Sequence, residues 1–188
     1  MTRKLGVLGV LVLTAAAAVH AQQKSGPAPA PAPPPAPKMT PEGRKFVDGW
    51  LGTWTSTDTT YTMGGQKMQG TLKMTCESVS SGWGALCKAV MGGPGMPPSE
   101  ATFLMGWDVA TGQAHMFEIA DTAEVHDHSG KWADDKSVSL VRQGKTLDGK
   151  MEKDACTATW LTPRELKLDC TGTQGGATVW TFTSTSKK

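Results

Sequence analysis

From Gly52 onward the chain is cut by glycine-containing turns into short runs rich in Thr, Val and Trp, at 53–62, 66–79, 83–91, 101–108, 112–120, 124–132, 136–142, 146–160, 164–171 and 177–184. Runs this short, with a turn about every dozen residues, join neighbours as antiparallel hairpins and lead to a sandwich or a barrel. Ala101–Trp132 shows the pattern best. Phe103, Met105 and Trp107 alternate with Leu104 and Gly106 before Asp108-Val-Ala-Thr-Gly112. Asp108 can bond its own backbone two residues on, and Gly112 can take the positive φ that closes such a turn. In the next run His115, Phe117 and Ile119 share one face, with Met116 and Glu118 on the other. Ala120–Ala123 then reverse the chain into Glu124–Trp132. A second turn of two or four residues would point His115, His126 and His128 the same way; an odd turn would not, because a one-residue slip moves every side chain to the opposite face.

Four cysteines form two spaced pairs whose register follows from the turns. A two-residue turn at Ser81-Gly82 sets Cys76 opposite Cys87, and an odd turn centred on Pro163 sets Cys156 opposite Cys170. Opposed residues of an antiparallel pair have Cα atoms roughly 4.5–5.5 Å apart, within disulfide reach. We therefore expect Cys76–Cys87 and Cys156–Cys170 bridges. A four-thiolate zinc site would require C-x-x-C spacing that this chain lacks.

Residues 1–21 read as a secretory signal peptide: a charged MTRK, an apolar run, and Val19-His20-Ala21 as the cleavage site. No run reaches the roughly 18 apolar residues of a membrane span. Export places the chain in the periplasm or medium, where disulfides persist. Without residues 1–21 it carries 17 basic and 17 acidic residues. A neutral domain without a basic stripe is not a nucleic-acid binder. Residues 22–39, with their PAPAPAPPPAP core, read as an extended spacer that cannot bury apolar surface. The single domain is 40–188. It begins with Thr40-Pro41-Glu42, a cap, a first-turn proline and an acid suited to a helix N-terminus. Phe46, Val47, Trp50 and Leu51 follow at helical spacing. Seven tryptophans fall almost one per element, as core rings or in part as ligand lining.

Phe46-Val-Asp-Gly-Trp-Leu-Gly-Thr-Trp54 resembles the G-x-W opening of lipocalin-like (calycin) barrels, where a short helix leads into the first strand. Ser81-Gly-Trp-Gly84, Met91-Gly-Gly-Pro-Gly-Met-Pro-Pro98, Met105–Gln113 and Gly130-Lys-Trp132 are similar, in order, to landmarks of the bacterial family known as domain of unknown function 1579. The resemblance implies an all-β fold: an antiparallel up-and-down β-barrel of about 8–10 strands with one short N-terminal helix. It implies no catalytic residue. The arginine that packs on the G-x-W tryptophan in lipocalins has no obvious counterpart here, since only Lys187 and Lys188 follow the last run.

The sequence contains no G-x-S-x-G elbow, H-E-x-x-H pair or phosphate-binding glycine loop, and no catalytic residue is assigned. The leading expectation is a monomer binding a small apolar molecule in the barrel mouth, with Trp54, Trp107 and Phe117 lining it. No cofactor is expected under that reading. The second is a metal or haem binder through His115, His126 and His128, since imidazoles suit zinc, copper and haem iron. The third is an interaction module with a filled barrel, no ligand and an apolar surface patch.

Overall fold

The computed structural model describes residues 36–94 and 96–188. The expected signal peptide lies outside them, as does the spacer up to residue 35. Helix α1 (Pro41–Trp50) starts as its sequence dictates: Thr40 is extended and its hydroxyl accepts from the Gly43 amide at 3.1 Å, with Pro41 in the first turn. Ten strands follow: β1 (Gly52–Met63), β2 (Gln66–Val79), β3 (Gly84–Gly93), β4 (Met96–Asp108), β5 (Gln113–Ala120), β6 (Val125–Trp132), β7 (Ser137–Lys145), β8 (Met151–Thr162), β9 (Glu165–Gln174) and β10 (Ala177–Lys187). Each pairs antiparallel with the next, and β10 returns to β1, so the sheet is a closed up-and-down barrel. Closure removes every free sheet edge.

Two strand starts differ from expectation by five residues. β8 begins at Met151 rather than near 146, because Thr146–Lys150 fold into a turn in which Asp148 accepts from the Thr146 hydroxyl and Gly149 takes φ 82°. β4 begins five residues early, at Met96, where Gly93 pairs with Met96. Asp108 closes the β4–β5 turn as expected, accepting from the Ala110 amide at 2.8 Å and the Thr111 hydroxyl at 2.7 Å.

Both disulfides form where the register places them. Cys76 is paired directly with Cys87, and Cys156 with Cys170, each with Cα atoms 4.0 Å apart. Both face the barrel interior. The Ser80–Trp83 turn is longer than a two-residue hairpin, but an even length preserves the pairing.

Helix α1 plugs one barrel end. Phe46, Val47 and Trp50 are fully buried, and full burial of such a side chain contributes about 1.5–3 kcal/mol. Three indole N–H groups bond helix carbonyls: Trp54 to Trp50 at 2.7 Å, Trp160 to Gly49 at 3.0 Å and Trp132 to Glu42 at 3.2 Å. Trp107 packs on Phe46, 6.1 Å between ring centres. The plug is thus fastened by both apolar contact and hydrogen bonds. Lys188 lays its ammonium 4.3 Å from the centre of the Trp54 ring, so a late cation does cover this tryptophan, supplied by lysine.

Strands β6 and β7 approach closely at Gly130, where a Cβ would stand 1.7 Å from the Ser139 carbonyl oxygen. Gly130→Ala is expected to cost about 3 kcal/mol, the upper part of the overpacking range. Gly106→Ala, with nothing within 4 Å of its Cβ, should change the urea midpoint little. Equal midpoints for the two variants would refute this view of the β6–β7 contact.

Candidate functional site

The barrel above the plug is hollow. Its cavity is about 900 Å³, floored by Trp50 and bounded at the far end by Gly64, Gly65, Thr122, Glu124 and the Thr146–Asp148 turn. Side-chain size explains the space. Inward positions along one register row are Met74, Ala89, Ala101 and Ala120, three of them alanines, all lining the cavity. Ala158, Leu140, Leu168 and Phe182 extend the apolar wall, and the Cys156–Cys170 bridge lies in it. The filled barrel of the third expectation is therefore corrected.

One wall of the cavity is polar. On β5 and β6 the register opposes Glu118 to His126 and Met116 to His128, and β8 contributes Glu152 and Asp154. Asp154 is fully buried and ion-paired with Arg142 of β7, directly across the strand pair. Its Oδ2 lies 3.8 Å from both His126 Nδ1 and His128 Nε2, while its Oδ1 has no hydrogen-bond partner. Glu118 Oε2 is 3.8 Å from His126 Nδ1, and Glu124 Oε2 is 3.7 Å from His126 Nε2. Glu152 accepts from Trp180 Nε1 at 3.2 Å and from Gln174 at 3.1 Å.

Burial tunes these groups. It raises the Glu118 carboxyl to about 7, with Asp154 and Glu124 adding to the rise. It lowers His128 to about 4, helped by His126 and Arg142, and lowers His126 by the same causes, burial first and then Arg142. Tyr61 is raised, mainly by burial. Glu118 in the folded chain holds its proton to about pH 7 instead of 4.5, so its contribution to stability is present below pH 4.5 and lost as pH rises to 7. Glu118→Gln should therefore be more stable than wild type at pH 8, by on the order of 2 kcal/mol, and should lose that advantage at pH 4. Urea unfolding of chelator-treated protein at the two pH values checks this, and an advantage independent of pH would contradict it.

The expected site residues separate. His115 pairs with Ser129 and points outward, its side chain 42% exposed and 3.8 Å from Asp127. The β5–β6 turn leaves five residues between the paired Ile119 and Val125, an odd number, so His126 and His128 face inward and His115 does not. The structure thus brings His126 and His128 together with Asp154 and leaves His115 outside the group. Phe117 is also outward, 40% exposed and opposite Leu104. Trp107 pairs with Ala114, which puts even positions of β5 inside, so Trp107 and Phe117 cannot share the interior. Trp54 and Trp107 belong to the plug and not to the cavity wall; Trp50, Tyr61, Phe103, Trp180 and Phe182 supply the aromatic carbon rings that line it. The inward carboxylates were missed because Glu152-Lys-Asp154 reads as a solvated run. Cys156, two residues further on the same face, carried the signal: a buried disulfide puts Asp154 and Glu152 inside with it.

Fold and cavity together define a hollow, disulfide-bridged antiparallel β-barrel with a helical plug. No family model and no curated protein matches the chain. Among solved structures it is similar to the crystal structure of Rv2717c from M. tuberculosis, with a TM-score of 0.59 and 9% identity over 80% of this chain and 99% of that one. At that identity the likeness shows the fold alone.

Proposed function

We propose that this chain is an exported carrier or receptor that binds a small, largely apolar molecule inside the barrel, as a monomer in the periplasm or outside the cell. The observation that carries the reading is the cavity of about 900 Å³, the size of a small-molecule site, with an apolar wall and a few convergent polar groups on one side. Two disulfides and the signal-peptide pattern of residues 1–21 support an oxidising compartment. Among the described residues no helix is long and apolar enough to cross a membrane. The ligand's apolar body would lie against Met74, Ala89, Phe103 and Leu168, and its polar end against Glu118, His126 and Glu152.

The neutral dye N-phenyl-1-naphthylamine tests this by its fluorescence gain on entering an apolar site. Ala89→Trp puts an indole into the cavity against the proposed ligand position and should weaken dye binding at least about tenfold. Phe117→Ala, on the outer wall, should leave it unchanged. Binding that survives Ala89→Trp but falls with Phe117→Ala would place the dye on the surface and overturn the proposal.

A further inference from the structure

We propose that His126, His128 and Asp154 form a binding site for one divalent transition-metal ion, zinc in the first instance, on the wall of the barrel cavity. The three offer ligand atoms that all lie within 4.8 Å of one another, and they come from two rigid strands of a closed sheet rather than from a loop. Asp154 Oδ2 is 3.8 Å from each imidazole nitrogen that faces it. Donors about 2.0–2.1 Å from a tetrahedral zinc are about 3.4 Å apart, so each imidazole need close on Asp154 Oδ2 by only about 0.4 Å, and the two imidazole nitrogens, within 4.8 Å of each other, by at most about 1.4 Å.

Two buried polar groups lack partners. Asp154 is fully buried with Oδ1 unsatisfied, and His128 is 2% exposed with Nδ1 unsatisfied. Leaving such groups unpaired costs free energy; Asp154 Oδ1, the oxygen that Arg142 does not hold, is free to join Oδ2 on an ion beside the two imidazoles, whereas His128 Nδ1, on the other side of its ring from Nε2, is not satisfied by that ion. The surroundings also call for a cation. The carboxylates of Glu118, Glu124, Glu152 and Asp154 line this wall, and among the described residues no lysine or arginine lines the cavity; Arg142 reaches the group only through its ion pair with Asp154. Arg142 holds Asp154 in place as an outer partner. Glu124, 3.7 Å from His126 Nε2, stands where a carboxylate can take the ring's other N–H and leave Nδ1 free for the metal. Glu118, 3.8 Å from Nδ1, stands beside the remaining coordination positions, which open into the cavity. Two nitrogens and one carboxylate oxygen with open positions is a donor set for zinc, cobalt, nickel or copper(II) rather than for magnesium or calcium.

Isothermal titration of chelator-stripped wild-type protein with zinc chloride tests the site. The expected result is one ion per chain, with affinity falling about 100-fold or more in His126→Ala and in Asp154→Asn, beyond the 10–100-fold of an outer partner. His115→Ala, which removes an exposed imidazole, should bind as wild type does. His126→Gln keeps nearly the shape of the side chain and should show the same loss; a far-UV circular dichroism spectrum and urea midpoint matching those of wild type confirm that the barrel of this variant is intact. Absence of one-to-one binding in the wild type, or unchanged affinity in both His126 variants, would overturn the proposal. Neither result bears on occupation of the cavity by an apolar ligand, which the dye reads separately.

Discussion

Reducing both disulfides, or replacing all four cysteines by alanine, is expected to lower the free energy of unfolding by about 6 kcal/mol, close to 3 for each bridge. The bridges close segments of 11 and 14 residues, and each restricts the unfolded chain by the entropy of that loop. A domain of this size has only about 5–15 kcal/mol in total. The reduced chain should therefore unfold at or near body temperature, and the barrel should persist only where thiols are oxidised. Urea unfolding with and without reductant measures the effect. A combined loss below about 2 kcal/mol would mean that the hairpins are already restricted in the unfolded state.

Asp154→Ala is expected to cost about 3–5 kcal/mol, because it leaves the Arg142 guanidinium buried without its counter-charge. Replacing both partners together, Arg142→Leu with Asp154→Leu, removes the charge along with its partner and should fall within about 1 kcal/mol of wild type or above it. The contrast separates the cost of orphaning a charge from the net worth of the pair. If the double variant lost as much as the single, the pair would be contributing directly to stability. Differential scanning calorimetry on metal-free protein distinguishes the two cases. The pair sits in the fold where an apolar residue would pack, and the proposed metal site gives a functional reason for keeping it.

The architecture was legible because its determinants are local. Turn chemistry at Asp108 and Gly112, the cap at Thr40 and the alternation of apolar residues each act within a few positions, and each formed as the residues dictate. The Cys76–Cys87 pair was legible because an even turn converts separation in sequence into opposition across a hairpin; for Cys156–Cys170 the expected odd turn at Pro163 is a two-residue turn, and a bulge between Trp160 and Thr162 supplies the odd residue that restores the pairing. What faces inward was harder. His115, Phe117 and Ile119 look like an interior face by hydropathy, yet they lie outside, because the interior of β5 is set by its register with Trp107 and Met105. The barrel's inner wall on this side is Ala114, Met116 and Glu118, in which one large apolar residue stands between a small one and a charged one, a weaker apolar signal than the outer face carries. A cavity inverts the usual pattern: positions facing it need be neither large nor apolar.

The pairing of β1 with β10 carries a consequence for the order of events in folding. Thr60 to Met63 find their partners in Trp180 to Thr183, nearly the full length of the domain away. Contacts between such distant segments form only after a large loss of chain entropy, so hairpins assemble first and the seam last. Until β10 arrives, β1 has an unpaired edge, and the plug tryptophan Trp54 waits for the cation that Lys188 provides. A chain made from its N-terminus would thus remain an open, curling meander until its tenth strand had emerged. The seam is a latch that engages on arrival.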